Sequence, residues 1–261
     1  MQQKEDPQIA ELRSLLKTHN RIVFFGGAGV STASGIPDFR SPAGLYGQFS
    51  SAGEPWAAFD PEELLSRDFF EQHTDWFFDY YRRAILHPEA VPNVCHLALA
   101  EWEASGRLAG VITQNIDGLH QMAGSRKVCE LHGSVWRNFC VRCGQAYELS
   151  YVLEAGGVPR CSCGGVVKPA VTLYQEALSG QSLEQAADWL RTADLLFVAG
   201  TSLVVYPAAG LLRYFGGDTV AVVNLGSTAL DGQATIVLQR DLAEVFGQIR
   251  QVFREDITGC E

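Results

Sequence analysis

Four of the seven cysteines form two close pairs whose spacing is typical of a zinc site. The pairs are Cys140 with Cys143 and, after 17 intervening residues, Cys161 with Cys163. Four thiolates complete a tetrahedral zinc shell and leave no position for water, so a metal held in this way stabilises structure and does no chemistry. Gly164 and Gly165 follow the tighter second pair and suit the sharp turn that it requires. The alternative is four buried free thiols, and no role is assigned to Cys95, Cys129 and Cys260.

The stretch GGAGVSTASGIPDFRS begins directly after the apolar run IVFF. The backbone N–H groups of Gly27, Ala28 and Gly29, with a helix that we expect to begin near Ser31, are suited to binding a pyrophosphate. The dinucleotide fingerprint G-x-G-x-x-G is incomplete because Thr32 stands at its third glycine, which argues against a dehydrogenase. The absence of a Lys-Ser/Thr ending excludes a nucleoside-triphosphate P-loop. Alone, the motif is also compatible with an ordinary tight turn.

Three further polar stretches each follow an apolar strand: Gln114-Asn115-Ile116-Asp117, Gly200-Thr201-Ser202 and Asn224-Leu225-Gly226. Doubly wound sheets bind ligands beyond the carboxyl ends of their strands, and amide, hydroxyl and carboxylate groups suit ribose hydroxyls. Each stretch alone is compatible with a loop that caps a helix. Their matching positions on successive strands favour a common ligand.

His132 is the candidate general base among the six histidines. It lies in the stretch ELHG, after a predicted strand and before the cysteines, and we expect the adjacent Gly133 to leave room for a ligand. An imidazole with a near-neutral pKa suits proton removal from a sugar hydroxyl. On local sequence alone, a structural histidine is the alternative. We expect His120 to hydrogen-bond within its own loop, and His19, His73, His87 and His96 to be surface or helix residues.

Helical patterns alternate with apolar strands along most of the chain, which predicts an α/β fold with a Rossmann-like, doubly wound parallel sheet. Two insertions interrupt this pattern: an aromatic and acidic stretch that indicates helices, and a small zinc-ribbon module that contains the paired cysteines. We expect one domain over 1–261. Its sheet part comprises 8–30, 92–133 and 170–261, its cofactor loop and helical insertion 31–91, and its zinc-binding module 134–169.

Composition excludes several classes of protein. The 261 residues are 47% apolar and 19% charged, which is normal for a globular protein with a hydrophobic core. The net charge is −10 and no basic stripe is present, so we expect no direct nucleic-acid partner. The N-terminal stretch has no apolar signal core, and no run approaches the roughly 18 apolar residues of a membrane span. We therefore expect a cytoplasmic protein with no membrane partner.

In combination, the motifs resemble those of the sirtuin family, the NAD-dependent protein-lysine deacylases. The resemblance rests on GAGVSTASGIPDFRS, TQNIDGLH, ELHG, the paired cysteines, GTSLVVYPAA and VVNLG, which keep the family's order over about 8 to 250. The short termini are similar to those of compact bacterial-type members. The resemblance implies NAD as co-substrate, a structural Zn²⁺, acetylated lysine-containing proteins or peptides as partners, and a monomer.

The resemblance also implies a role for each site residue. The pyrophosphate is expected at Gly27, Ala28, Gly29 and Ser31, with Arg40 helping to hold the phosphates. The nicotinamide end and its ribose are expected at Ile36, Asp38, Phe39, Gln114, Asn115, Ile116 and Asp117, and the adenosine side at Gly200, Thr201, Ser202, Asn224 and Leu225. The catalytic residues are expected to be His132, Asn115 and Asp117. The substrate peptide is expected to add as a strand between two segments and to contact Phe39, Thr172, Leu173, Tyr174, Val204, Val205 and Tyr206.

The reaction that the resemblance implies is ribosyl transfer. The acyl oxygen of the modified lysine attacks the sugar carbon as nicotinamide leaves, and His132 then removes a proton from a ribose hydroxyl. Lysine, nicotinamide and O-acyl-ADP-ribose result. Phe39 is expected to shield the reacting sugar carbon, because exclusion of water protects a cationic sugar.

Two departures from the family concern the acyl-lysine. The family often has phenylalanine-glycine-glutamate where this chain has Tyr174-Gln175-Glu176, so we expect a stiffer loop. Members that remove acidic acyl groups carry a tyrosine and an arginine three residues apart in the helical insertion. The matching positions fall near Phe78 and Tyr81, although a slip in the alignment would bring in the adjacent arginines Arg82 and Arg83. We expect acetyl or longer neutral acyl groups to be preferred.

The predicted function is an NAD-dependent protein-lysine deacetylase that transfers the acetyl group to ADP-ribose and releases nicotinamide. The alternatives are an NAD glycohydrolase or ADP-ribosyltransferase, a deacylase that prefers a longer acyl chain, and a non-catalytic NAD-binding regulator.

Overall fold

The computed structural model describes residues 6–39, 41, 44–45 and 55–253 of the chain. Its large sheet has six parallel strands: β1 (Ile22–Gly26), β2 (Leu108–Thr113), β3 (Val128–Glu130), β7 (Leu195–Ala199), β8 (Thr219–Val223) and β9 (Ile236–Leu238). The strand order is β3-β2-β1-β7-β8-β9, which is the order of a Rossmann-like sheet. The order reverses between β1 and β7, so the ligand crevice is expected beyond the carboxyl ends of these two strands.

Helices cover both faces of the large sheet, as the predicted doubly wound fold requires. They are α1 (Pro7–Thr18), α5 (Val94–Ala104), α6 (Leu119–Met122), α8 (Gly180–Thr192) and α9 (Leu242–Ile249), with 3₁₀ turns at Ala208–Tyr214 and Arg250–Phe253. Alternate residues of β1 point to opposite faces. Phe24 packs in the core under α1, α5 and α9, whereas Phe25 packs in a second core under α8.

The helical insertion is a chain of short elements: a 3₁₀ turn at Pro55–Ala58, α2 (Pro61–Leu64), α3 (Arg67–Gln72), α4 (Thr74–Tyr80) and a π turn at Tyr81–Ile85. Asp60 stands at the N-cap of α2 and Pro61 at its first position, as the sequence predicts. Aromatic side chains of α3 and α4 pack edge to face, for example Phe70 against Phe77 with ring centroids 5.0 Å apart. The aromatic stretch therefore packs in a core separate from the two cores of the large sheet.

The small sheet is antiparallel, with the order β5-β4-β6. Its elements are β4 (Gly133–Cys140), β5 (Ala146–Glu148), α7 (Leu149–Glu154) and β6 (Val167–Val171). Its core is shared with the helical insertion, because Val167 and Phe77 belong to one buried cluster. The helical insertion and the small sheet thus pack as one layer.

Two expected helices have a different form. No α-helix begins at Ser31, because the glycine stretch continues as two 3₁₀ turns, Ala28–Val30 and Thr32–Ser34. The alternating pattern also predicts a helix at PAAGLLRYF, and in the structure this stretch is a 3₁₀ helix. In the part of the chain that the structure describes, no helix has the length and apolar character of a transmembrane span.

Candidate active site

The loops after β1 and β7 interlock at the reversal point of the large sheet. Gly29 N donates to the carbonyl oxygen of Gly200 at 2.9 Å. A Cβ at Gly29 would lie 2.8 Å from Gly200 Cα, and a Cβ at Gly27 would lie 2.9 Å from Thr201 Cβ. Gly200 itself has a left-handed φ of 61°. These glycines let two backbones approach more closely than side chains permit.

Ser31 connects the glycine loop with the loop after β2. Its buried hydroxyl donates to Asp117 Oδ2 at 2.6 Å and accepts from Asn115 Nδ2 at 3.0 Å. The second carboxylate oxygen of Asp117 accepts from Leu119 N at 2.9 Å and so caps α6. Gln114 Nε2 donates to Thr201 Oγ1 at 2.9 Å. The structure thus brings together polar groups from three separate predicted stretches.

The small sheet holds the Asn115–Gly118 loop from the other side. Val135 N donates to the carbonyl oxygen of Ile116 at 3.0 Å, and Trp136 Nε1 donates to that of Asp117 at 2.7 Å. A Cβ at Gly118 would lie 2.7 Å from the Trp136 indole, and the φ of Gly118 is 77°. Sequence reasoning missed Trp136, whose separation from Asp117 along the chain gives no local signal.

His132 lies between β3 and β4, where the chain leaves the large sheet for the small one. Its Nδ1 lies 2.8 Å from the carbonyl oxygen of Gln114 and must donate to it, which leaves a lone pair on Nε2. Burial lowers the pKa of His132, and the hydrogen bond to Gln114 partly offsets that effect. The ring is therefore neutral at physiological pH and can accept a proton at Nε2.

Gly133 allows two strands to pack closely and does not leave space for a ligand. Its φ is 80°, and a Cβ there would lie 2.0 Å from the carbonyl oxygen of Ala170. The space beside Gly133 is filled by β6, so the prediction that this glycine leaves room for a ligand is wrong. It allows β4 and β6 to approach each other. The neighbouring Thr172 N then donates to the His132 carbonyl oxygen at 2.9 Å, which fixes the backbone of the histidine.

The segment after the glycine loop extends toward the small sheet. Ile36 and Phe39 are half-buried, and Phe39 packs against the core shared by the small sheet and the helical insertion. Asp38 Oδ1 accepts from Ser41 N at 2.7 Å and so stabilises a turn. Arg40 lies outside the described residues.

The residues predicted for the adenosine side follow β7 and β8 in neighbouring loops. Ser202 and Leu225 are exposed, and Asn224 Nδ2 donates to the carbonyl oxygen of Gly226 at 2.8 Å. The site fits a dinucleotide, because glycine backbone lines the reversal point and hydroxyl and amide groups lie on either side of it. The glycine loop and Ser31 offer backbone N–H and hydroxyl groups, and Gln114, Asn115 and Asp117 offer amide and carboxylate groups.

Two segments border the site on the side of the small sheet. Thr172, Leu173 and Tyr174 follow β6, and Tyr174 forms a main-chain bridge with Ser66 of the helical insertion. Val204 and Tyr206 follow β7 and are strongly exposed, whereas Val205 is half-buried. The exposed apolar side chains suit contact with an extended peptide.

Four cysteines are positioned to bind a zinc ion at the end of the small sheet. The ligand atoms of Cys140, Cys143, Cys161 and Cys163 all lie within 4.8 Å of one another. The Sγ atoms of Cys140 and Cys163 are 3.4 Å apart, and those of Cys143 and Cys161 are 3.6 Å apart. Zn–S bonds of about 2.3 Å place the sulfurs of a tetrahedron about 3.8 Å apart, so the arrangement fits Zn²⁺.

Two histidines differ from expectation. His96 is a helix residue, as expected, but it is completely buried, and its ring contacts that of His120 with centroids 4.8 Å apart. Neither ring nitrogen of His120 has a hydrogen-bond partner among the described residues, so the predicted bond within its loop is absent there.

Sequence reasoning also missed Asn93, whose Nδ2 donates to Val30 O at 2.8 Å and Ser34 Oγ at 2.9 Å. The sequence feature that could have identified Asn93 is its N-cap position, directly before the first residue of α5.

Arg82 and Arg83, the adjacent arginines of the helical insertion, have partners within the protein. Phe78 and Tyr81 are buried in the insertion core. Arg82 Nε donates to the carbonyl oxygen of Val152 in α7 at 3.0 Å, and Arg83 Nε pairs with Asp79 Oδ1 at 3.0 Å. The preference for neutral acyl groups stays a prediction.

Comparison with known proteins agrees with this geometry. An NAD-dependent protein deacetylase of Clostridium perfringens is 48% identical over 246 residues, which cover 94% of this chain and 99% of the relative. A solved structure of Sir2 with p53 peptide and NAD⁺ matches with a TM-score of 0.79 and 38% identity, over 97% of this chain and 99% of that one. Another, of a Sir2 histidine variant with deacetylated p53 peptide and 3'-O-acetyl-ADP-ribose, matches with a TM-score of 0.83 and 37% identity, over 94% and 98%. The model of the Sir2 family matches residues 27–207, so the sirtuin resemblance is confirmed and the chain belongs to the Sir2 family.

Proposed function

We propose that the protein is an NAD-dependent protein-lysine deacetylase, which transfers the acetyl group of acetyl-lysine to ADP-ribose. The observation that carries the proposal is His132, a neutral imidazole with Nε2 free to accept a proton, joined through Gln114 to the loop of Asn115 and Asp117. The relatives that are named deacetylases, and the Sir2 structures with peptide and NAD⁺, support it. Acetylated lysine-containing proteins or peptides are the proposed partners.

Each residue of the site has a task that its contacts suit. The glycine loop and Ser31 bind the pyrophosphate, and Asn115 and Asp117 orient the nicotinamide and its ribose. NAD supplies the sugar carbon that accepts the acyl oxygen when nicotinamide leaves. His132 Nε2 takes the proton of a ribose hydroxyl, while Nδ1 stays bonded to Gln114 and holds the tautomer. Phe39 excludes water from the reacting carbon.

The zinc site has a structural task. Cys140, Cys143, Cys161 and Cys163 would hold Zn²⁺ with no open position, so the metal would cross-link the turn after β4 to the loop before β6 at one end of the small sheet. Through Val135 and Trp136, the same sheet supports the loop of Asp117. Zinc would therefore affect catalysis only through the position of that loop.

Nicotinamide release tests the proposal. Purified protein is incubated with NAD, with and without an acetyl-lysine peptide, and the peptide mass is followed in parallel. We expect release that depends on the peptide and matches deacetylation one for one. His132→Ala should lower deacetylation by at least about 100-fold, since a general base contributes roughly 10²–10⁴-fold. The same variant should still exchange labelled nicotinamide, because the histidine acts after nicotinamide leaves.

The control is His87→Ala, which removes a half-buried histidine of the insertion far from the glycine loop in sequence. It should retain full activity. Nicotinamide release without peptide, and without loss of acetyl mass, would move the assignment to NAD hydrolysis. Full deacetylation by His132→Ala would contradict its task as base. Faster turnover of longer acyl chains would favour the deacylase alternative.

The cytoplasmic location and the monomeric state expected from the sequence stay predictions. So does the division of one catalytic domain into a sheet part, a cofactor loop with helical insertion, and a zinc module. Fractionation, light scattering and limited proteolysis would test them in turn.

A further inference from the structure

The two segments that border the peptide side share an unusual backbone feature. Gln175 has φ 74° and Leu203 has φ 55°, and they are the non-glycine residues with left-handed φ in the described part of the chain. This conformation is unfavourable for a residue with a Cβ and persists only where surrounding contacts impose it. Leu203 is buried and its N–H donates to Thr201 Oγ1 at 3.2 Å. Gln175 is exposed, so another contact must impose its conformation.

The side chain of Gln175 supplies that contact. Its Oε1 accepts from Asp68 N at 3.0 Å, and its Nε2 donates to Asp68 Oδ2 at 2.9 Å. Both groups of one amide therefore bond to one residue at the start of α3. We name this paired contact between Gln175 and Asp68 the latch. A glycine at this position would adopt the same φ without cost but would have no latch.

The latch extends a main-chain connection between the two parts. Arg67 N donates to the carbonyl oxygen of Tyr174 at 3.0 Å, and Tyr174 N donates to that of Leu65 at 3.0 Å. These bonds use the main chain of Tyr174 for contact with the helical insertion. Among the described residues, no hydrogen bond uses the main-chain N–H or C=O of Gln175. These two groups can bond to an incoming strand.

A buried ion pair holds the other end of the segment. Lys168 Nζ lies 3.0 Å from Glu176 Oε2, and the same carboxylate oxygen accepts from Leu173 N at 2.9 Å. Lys168 is only 7% exposed, and its ammonium group also donates to the carbonyl oxygen of Val171 at 3.0 Å. The segment Thr172–Glu176 is thus tied to β6 on one side and to α3 on the other.

We propose that Gln175 and Asp68 are positioning residues for the acyl-lysine peptide: their latch holds the Thr172–Glu176 segment in the conformation that receives the peptide as an added strand. The proposal rests on the proposed function. A segment that is ordered before binding loses less conformational freedom when the peptide binds, so the latch increases peptide affinity. The latch does not touch the glycine loop, so NAD binding is independent of it.

Peptide affinity in four variants tests the latch. Gln175→Ala and Asp68→Ala should each weaken binding of a fluorescent acetyl-lysine peptide about two- to tenfold, the range expected for loss of hydrogen bonds. KM for peptide should rise equally, while kcat and KM for NAD stay unchanged. Gln175→Gly restores backbone freedom without the latch, and Gln175→Asn tolerates the left-handed φ but is one methylene too short. Both should weaken binding like Gln175→Ala.

The double variant, Gln175→Ala with Asp68→Ala, should be no weaker than either single variant, because one contact is lost in each case. Hydrogen exchange of the Thr172–Glu176 segment should accelerate in every latch variant, which a change in chemistry alone would not cause. Gln72→Ala, an exposed residue of the same helix, is the matched control and should change nothing.

Several outcomes would overturn the latch, and one would refute the deacetylase alone. Wild-type affinity in Gln175→Gly and Gln175→Asn would show that only backbone strain matters at this position. Unchanged affinity in Asp68→Ala, or unchanged exchange, would show that the contact positions nothing. Wild-type protein that binds the peptide without deacetylating it, with weaker binding in the latch variants, would refute the deacetylase and retain the latch. No peptide binding by the wild-type protein would refute both.

Discussion

The large and small sheets are stabilised in different ways. Every residue of β1 and β7 is buried, and helices cover both faces. In β4, buried positions alternate with exposed ones such as Phe139, which is 37% exposed. The strand ends at Cys140, the first of the four paired cysteines. Burial on two faces stabilises the large sheet, whereas the small sheet combines burial on one face with four cysteines positioned for a metal cross-link.

The candidate site lies where these two kinds of structure meet. The glycine loop and Ser31 belong to the large sheet, Trp136 belongs to the small one, and His132 stands at the passage between them. The cofactor half therefore depends on close packing of backbone. The half that supports Asp117 depends on a sheet that ends at four cysteines positioned to bind zinc. Loss of the backbone packing should stop the reaction through the cofactor half of the site. Loss of the small sheet should stop it through the loop of Asp117.

Zinc removal should have the largest effect, and it should affect the small sheet much more than the large one. Cys161→Ser, or a strong chelator, removes a cross-link whose binding free energy is of order 10 kcal/mol in small zinc modules. We expect the small sheet to unfold and deacetylation to fall by at least about 100-fold. The large sheet has no cysteine ligand, so far-UV circular dichroism should keep most of its helical signal. Zinc content, activity and circular dichroism measured on one sample check this.

Ser162→Ala is the matched control, because Ser162 is an exposed neighbour in the same loop. It should keep its zinc and its activity. Full activity of a zinc-free protein would show that the small sheet supports the Asp117 loop without metal. It would refute the proposed difference in how the two sheets are stabilised.

Two phenylalanine substitutions, one in each sheet, should lower the free energy of unfolding by different amounts. Phe197 is completely buried in β7 and stacks on Phe24 with ring centroids 5.8 Å apart. Phe197→Ala should lower the free energy of unfolding by about 3–5 kcal/mol, the usual cost of such a cavity. Phe139→Ala, in the exposed row of β4, should cost less than about 1 kcal/mol. Urea unfolding measures both, and similar losses would refute the difference in stabilisation.

Much of this arrangement could be predicted from local sequence. Apart from β3, each strand of the large sheet is a short apolar run followed by glycine or polar residues, and the cysteine pairs lie close enough in sequence to indicate tetrahedral ligation. The motif after β2 also placed Gln114, Asn115 and Asp117 at a strand end. These signals are visible because the interacting residues are near one another in the chain.

The features that the sequence did not reveal depend on contacts between distant residues. Gly133 is explained by the carbonyl of Ala170, which belongs to another strand. The latch joins Gln175 to Asp68, and no periodicity relates these two positions. The expected helix at Ser31 became 3₁₀ turns because its hydroxyl and the loop backbone bond to Asn115, Asp117 and Gly200. Tertiary contacts decided each of these cases.

Acid should weaken the large sheet through a buried histidine pair, with a smaller effect than zinc removal. His96 in α5 and His120 in α6 are buried ring against ring. Burial lowers the pKa of His96 to about 4, although the Asp117 carboxylate acts in the opposite direction. Burial also holds the pKa of His120 well below its usual value, and the neighbouring His96 lowers it further. Both rings are therefore neutral in the folded protein near pH 7.

The sign of the pH dependence follows from these lowered pKa values. Below about pH 6.5 the unfolded chain protonates both histidines while the folded protein does not, so the free energy of unfolding falls as the pH falls. For His96 the loss is of order 3 kcal/mol by pH 4. Urea unfolding between pH 7.5 and pH 4.5 should show the decline, and His120→Leu should reduce its slope, whereas His87→Ala should not. Zinc release should be followed at each pH: if all the lost stability accompanies loss of zinc, the acid-sensitive element is the small sheet and the histidine pair has no part in it.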